Sequence, residues 1–172
     1  INQDDHRVTY HVDQSMDFQL KPTAKLNGAK DTSSRHVVPR NGMTSLLSWH
    51  NGNDCHMSNG MLYRDGRLTV PLDGMYFIYG QLEVSFDKHN NDNNTSGQYQ
   101  VEMTKSNIFY GEHTLFRYSV PDVVFLSPAT SSIDVCIAST VRLRAQDELY
   151  IRVSDTENLY NPANNFIGAY ML

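Results

Sequence analysis

The sequence predicts an all-β fold, a sandwich or barrel-like arrangement of short strands, and three observations carry that prediction. Short apolar runs recur at regular spacing, each bounded by Gly, Pro, Asn or Asp, which is the pattern of antiparallel strands joined by turns. No segment longer than about ten residues holds a 3.6-residue apolar period with caps, so helix is minor. Composition agrees, because 15 Asn, 10 Gly and 10 Tyr among 172 residues favour turns and strands over long helices.

The elements follow in order. Residues 1–20 mix charge with scattered apolar residues and show no sustained period, which fits a stalk or a loosely docked extension. Pro22 opens a strand over Thr23 to Leu26 that Asn27-Gly28 closes, and Ala29 to Thr44 reads as a long surface loop. Leu46-Leu47-Ser48-Trp49 returns the chain to a core. Met61-Leu62-Tyr63 and Leu68-Thr69-Val70 flank Arg64-Asp65-Gly66-Arg67, a hairpin signal because Asp-Gly tolerates the positive φ of a tight turn. Pro71-Leu72-Asp73-Gly74 then leads into a long strand, Met75 to Phe86. Further strands are expected at Tyr99 to Thr104, Thr114 to Tyr118, Val123 to Leu126, Ile133 to Leu143, Leu149 to Val153 and Phe166 to Leu172.

Charge and cysteine usage exclude several classes. Lys+Arg 14 against Asp+Glu 19 leaves a net charge of −5, the wrong sign for a nucleic-acid binder or a polybasic membrane coat. Cys55 and Cys136 sit in no CxxC or Cys/His ligand spacing, so a disulfide framework is excluded, which leaves two unpaired thiols packed as small hydrophobes or, as the alternative, a single bridge. No stretch approaches the roughly 18 apolar residues of a transmembrane helix. The start, Ile1-Asn2-Gln3-Asp4-Asp5, has neither an initiator Met nor a signal peptide and is read as a fragment of a longer precursor. Overlapping sequons at Asn93 and Asn94 lie in an Asn-rich run expected to be an exposed loop, compatible with N-glycosylation and secretion.

Three strands depart from apolar-in, polar-out alternation. In the long strand Tyr76, Ile78, Leu82 and Val84 share one face and Met75, Phe77 and Tyr79 the other. Phe166, Tyr170 and Leu172 oppose Ile167, Ala169 and Met171, and Ile133, Val135 and Ile137 oppose Cys136 and Ala138. A single sandwich buries one face of each strand, so the second apolar face needs a cover. Residues 1–20 folding over the sheet is one answer, and self-association is the better one.

The ordered set Lys21-Pro22-Thr23-Ala24-Lys25-Leu26, Leu47-Ser48-Trp49, Asn59-Gly60-Met61, Leu68-Thr69-Val70-Pro71, Asp73 through Leu82, and terminal Phe166 to Leu172 resembles the tumour necrosis factor homology domain over residues 21–172. The resemblance implies a ten-strand jelly-roll β-sandwich, a homotrimer around a three-fold axis, and a cytokine-type ligand that clusters cysteine-rich receptors in immune and apoptotic signalling. It also implies an extracellular protein, secreted or shed from a type II membrane precursor. Phe77, Tyr79, Tyr170 and Leu172 match positions that line the trimer interface in the family. Cys136 departs from the pattern, falling where many members carry an axis-facing Tyr. Members with a disulfide join two loops at the top of the sandwich; neither Cys lies there, so no intrachain bridge is implied. For receptor binding the resemblance points to Tyr110 between two strands, to Leu159 and Tyr160 before the last strand, and to the long loop through Arg35, His36 and Arg40. Tyr110 has a second reading, as a core Tyr on a short strand.

Catalytic signatures are missing: there is no GxSxG elbow, P-loop, HExxH or nucleotide fingerprint. No cofactor or metal is expected. His50 and His56 read as solvated loop residues, and the Asp/Asn run at 87–94 lacks the order of a dedicated Ca²⁺ loop. Two other functions compete with the cytokine reading. One is the related trimeric jelly roll of complement-head and adiponectin type, and the other a carbohydrate-binding jelly roll in which Trp49 and exposed Tyr side chains would stack on sugars.

Overall fold

The computed structural model describes residues 21–30, 42–46, 48–50, 55–86, 99–120, 131–155, 159 and 164–172. Twelve strands lie among them: β1 (Thr23–Lys30), β2 (Thr44–Ser45), β3 (Ser48–His50), β4 (His56–Ser58), β5 (Leu62–Arg64), β6 (Arg67–Thr69), β7 (Gly74–Phe86), β8 (Gln100–Asn107), β9 (Gly111–Ser119), β10 (Ser131–Leu143), β11 (Glu148–Val153) and β12 (Phe166–Met171). They pair antiparallel into two six-stranded sheets. One runs β10-β7-β12-β1-β3 with β4 also on β1, and the other β5-β6-β11-β8-β9 with β2 on β11. The last strand thus lies inside its sheet, between β7 and β1, as a jelly roll requires. No α-helix occurs among the described residues.

Period-two alternation builds the core between the sheets. Tyr76, Ile78, Leu82 and Val84 of β7, Val135 and Ile137 of β10, and Ile167 and Ala169 of β12 meet Val101 and Met103 of β8 and Leu149, Ile151 and Val153 of β11, all of them buried. The β5–β6 hairpin forms as its sequence predicts, with Asp65 at φ 47° and Gly66 at φ 82°, the paired positive angles that twist two strands together. Asn27-Gly28 behaves differently from the expectation. It does not close β1, which continues to Lys30. Gly28 takes φ 67° and its N–H donates to Asn165 O at 2.7 Å. The register to β3 shifts between Asn27 and Lys30. The glycine supplies a bulge inside a strand rather than a turn after it. Ala29, Lys30 and Thr44, expected in a loop, are therefore strand residues. Residues 1–20 and the strand expected at Val123 to Leu126 lie outside the described residues.

The outer face of the β5-β6-β11-β8-β9 sheet is closed by alternating charge. Arg117 Nε reaches Glu102 Oε1 at 2.6 Å, and Arg152 Nη1 lies 2.9 Å from Glu112 Oε1 and 4.0 Å from Glu102 Oε2. Tyr150 Oη donates to the Glu112 carboxylate, the Arg67 guanidinium lies 4.1 Å over the Tyr150 ring, and Arg67 Nη1 bonds Glu148 at 2.7 Å. Neighbouring strands supply opposite charges in register, so Glu102 and Arg152 are buried without being orphaned. Burial, then the hydrogen bond to Glu112, push the Tyr150 phenol up to about 12 from 10.0.

That shift sets an alkaline dependence. Above pH 10 the unfolded chain sheds a proton that native Tyr150 keeps, so stability falls as pH rises from about 10 towards about 12. Tyr150→Phe removes this part of the slope, and at neutral pH costs on the order of 1 kcal/mol for the lost hydrogen bond. Urea unfolding across pH 9–12 checks both; an unchanged alkaline slope would count against the assignment.

Candidate functional site

The outer face of the other sheet carries an aromatic patch. Registered rows run across β10, β7 and β12: Cys136–Gln81–Phe166, Ala138–Tyr79–Gly168 and Thr140–Phe77–Tyr170. Large and small residues alternate along and between these rows, so the rings lie against one another. Phe77 and Tyr79 stack at 6.0 Å between ring centroids, Phe77 and Tyr170 lie at 5.3 Å, Tyr79 and Phe166 at 6.2 Å, and Tyr79 and Tyr170 at 6.3 Å. Lys25 Nζ caps the patch, 5.4 Å over the Phe166 ring. Gly168 makes the arrangement possible, because a Cβ there would collide with the Tyr79 ring. Burial first, and then the neighbouring Tyr170 phenol, hold the Tyr79 phenol above its ordinary value.

Of the residues expected at a subunit interface, Phe77, Tyr79 and Tyr170 thus form one cluster. Cys136 is an exposed, free thiol in the adjoining row, 3.7 Å from Gln81 Oε1. Leu172 is half-exposed at the sheet's end, its N–H bonded to Met75 O at 2.9 Å. It lines, with Pro22, Tyr170 and Met171, a mainly apolar cavity of about 440 Å³. Phe166, on the same face, joins the cluster through Tyr79. Cys55 lies at the opposite margin of this sheet, its Sγ accepting the Asn27 N–H at 3.2 Å. Four strand spacings of about 4.8 Å separate it from Cys136, too far for a disulfide.

The residues expected to face a receptor divide. Tyr110 sits in the turn between β8 and β9 with Ile108 and Phe109, at 57%, 88% and 82% exposure, so the core reading of Tyr110 does not hold. Leu159 makes an isolated bridge with Val84 and packs half-buried against the core. Its side chain therefore serves packing. Arg35, His36, Arg40 and Tyr160, like Asn93 and Asn94, lie outside the described residues. Ile108 and Phe109 were missed by sequence reasoning, and the signal available was three consecutive apolar residues directly before Gly111 in a strand-to-strand turn.

Two competing sites can be checked directly. Trp49 is 5% exposed and its backbone N–H is held by the Tyr63 hydroxyl at 2.8 Å, so the indole is a core side chain and offers no sugar-stacking platform. His56 Nε2 lies 2.9 Å from Thr23 Oγ1, and no group of three His, Cys, Asp or Glu side chains suited to a metal occurs among the described residues.

Sheet order, the inserted last strand and the two unlike outer faces define a jelly-roll β-sandwich. Residues 47–172 match the model of the TNF (Tumour Necrosis Factor) family, and the chain belongs to that family. It is also similar to tumor necrosis factor of Peromyscus leucopus, 30% identical over 69 residues, a segment that covers 40% of this chain and 29% of that protein. The match therefore spans less than a third of the relative's length.

Gly168→Ala tests the packing of the face. Ile167 and Ala169 keep their core contacts, while the new Cβ drives the Tyr79 ring off its strand. The Tyr79 phenol then titrates closer to its ordinary value, read by ring-carbon NMR across alkaline pH. A Tyr79 titration identical to that of the parent would show that the ring does not depend on Gly168.

Proposed function

We propose that this chain is a TNF-type cytokine domain that forms a homotrimer through the aromatic face and clusters cysteine-rich receptors outside the cell. The single observation that carries the reading is the contiguous cluster of four rings, Phe77, Tyr79 and Tyr170 in mutual contact and Phe166 joined through Tyr79, on the outer face of a sheet whose inner face already fills the core. Covering three or four such rings contributes on the order of 2 kcal/mol each, less the cost of association. A second copy supplies that cover, and three copies close the arrangement without leaving a face open. Family membership supports the homotrimer over other closed forms.

Trimerisation gives the mechanism. Three equivalent receptor sites convert modest single contacts into avidity and bring receptor chains together. Tyr110, with Ile108 and Phe109 beside it, is the described element best suited to touch a receptor, since exposed aromatics anchor interfaces. Arg35, His36, Arg40, Leu159 and Tyr160 complete the proposed receptor set, with Leu159 acting through its packing. Phe77, Tyr79, Cys136, Tyr170 and Leu172 form the proposed trimer interface. The chain is read as a non-enzymatic ligand that needs no cofactor, released from or displayed on a type II membrane precursor and glycosylated at Asn93 or Asn94.

Sedimentation velocity at micromolar concentration should show a trimer; a persistent monomer would rule the reading out. Tyr79→Asp places charge among the rings and should give a folded monomer. Tyr110→Ala should leave the trimer intact and weaken capture by a cysteine-rich receptor ectodomain about tenfold or more. Loss of folding in Tyr110→Ala would instead make it a structural residue.

A further inference from the structure

The ends of β8 and β10, the start of β9 and the β10–β11 turn enclose a cavity of about 370 Å³ lined by Lys105, Tyr110, His113, Arg142, Arg144 and Asp147 among others. Its charge opposes that of the chain. Among the lining residues three cations surround one carboxylate in a protein whose net charge is −5, a local surplus of two positive charges that the Asp73 carboxylate, bonded to the Ala145 N–H of the same turn at 2.7 Å, reduces to one. The lining carboxylate is already committed. Asp147 is buried; its Oδ1 accepts from Asn107 Nδ2 at 2.8 Å, its Oδ2 from the Arg144 backbone N–H at 2.9 Å, and Lys105 Nζ lies 3.6 Å away. It fastens the β10–β11 turn and offsets Lys105. Neither Arg142 nor Arg144 pairs with a carboxylate among the described residues.

Arg144 is also held in place. Its guanidinium lies 3.9 Å over the Tyr110 ring, and His113 Nε2 contacts Tyr110 O at 3.1 Å, so the turn and the cation are fixed together. A guanidinium stacked on a ring keeps its in-plane N–H fork for a planar anion. Gathered cations repel one another, and an anion placed between them turns that repulsion into attraction. Beside the cavity stand Ile108 and Phe109, the two most exposed large apolar residues described.

We propose that this cavity is an anion subsite that takes an Asp or Glu side chain of the receptor, while Ile108 and Phe109 lie on apolar receptor surface next to it. The proposal rests on reading the β8–β9 turn as receptor-facing. The pairing of an apolar tip with a confined cationic pocket matches an acidic side chain set in a folded protein surface, with apolar anchors beside a desolvated charge. A polyanion, by contrast, is held by an extended run of cations.

The test titrates the intact chain with a blocked peptide of alternating Glu and Leu and, separately, its Gln–Leu counterpart, following the Arg142 and Arg144 side-chain NMR signals. The Glu peptide should shift both signals saturably, the Gln peptide should respond about tenfold more weakly, and Arg144→Gln should abolish the difference. Arg144→Lys, which keeps the charge without the fork, should retain only part of the response. Equal responses to the two peptides would overturn the subsite. So would inorganic sulfate or a heparin hexasaccharide that displaces the Glu peptide at lower concentration, since the site would then belong to a free anion or a glycan. A peptide response without capture of any cysteine-rich ectodomain would sink the receptor reading and leave an anion pocket. Ectodomain capture that survives both Arg142→Gln and Arg144→Gln undiminished would sink the subsite and leave the receptor reading.

Discussion

A pleated strand sends alternate side chains to opposite faces, and two stacked sheets hide only two of their four faces. Everything else in this molecule follows from what the other two faces carry. The face of β8, β9 and β11 is closed internally: Glu102, Arg117, Arg152 and Glu112 alternate in sign across the strands, and Tyr150 and Arg67 extend the chain of contacts to Glu148. Such a ladder contributes little net stability, because desolvating each charge costs nearly what pairing returns. It does remove any need for a further cover. Among the described residues the face of β7, β10 and β12 has no such closure. Its rings gain only when something apolar comes down on them.

Large and small residues decide how that second face is shaped. Tyr79 stands between Ala138 on one neighbour and Gly168 on the other, so its ring has room to lie over β12 instead of standing upright. Phe77 and Tyr170, opposite each other in the next row, then lie against it, Phe77 stacked and Tyr170 tilted. The result is a broad, low patch rather than a set of separate projections, and a low patch can be covered evenly by an identical one. The raised Tyr79 phenol reflects the same crowding: even before any partner arrives, water has been excluded from part of the ring.

Much of this was legible locally. The long β7, β10 and β12 strands show their two apolar faces in period two, and Asp65-Gly66 announces its hairpin, because both signals lie within a few consecutive residues. Gly28 was misleading for the opposite reason. Asn-Gly ordinarily ends a strand, but partners from β3 and β12, far along the chain, hold β1 together through the bulge. Strands β2 to β4, two or three residues long, are too short for any period to appear. Tyr110 was readable as a contact residue first and as core second, since Ile108-Phe109-Tyr110 is apolar throughout and only the tight approach of β8 to β9 puts it outside. The cationic cavity left no sequence trace: Lys105, His113, Arg142 and Arg144 come together only when the two sheets close on each other.

One strand ties the two surfaces together. Along β10 the even-numbered residues share the outer face, so Ala138 beside Tyr79 and Arg142 at the cavity stand on the same side, four residues and about 13 Å apart. From Ser131↔Phe86 to Leu143↔Gly74 the strand is paired without a break to β7, which makes it a stiff ruler. In the proposed trimer, a copy seated on the aromatic rows would sit at a fixed distance from each cationic cavity. The proposed assembly face and the proposed recognition site use different side chains, yet a single uninterrupted ladder sets the spacing between them.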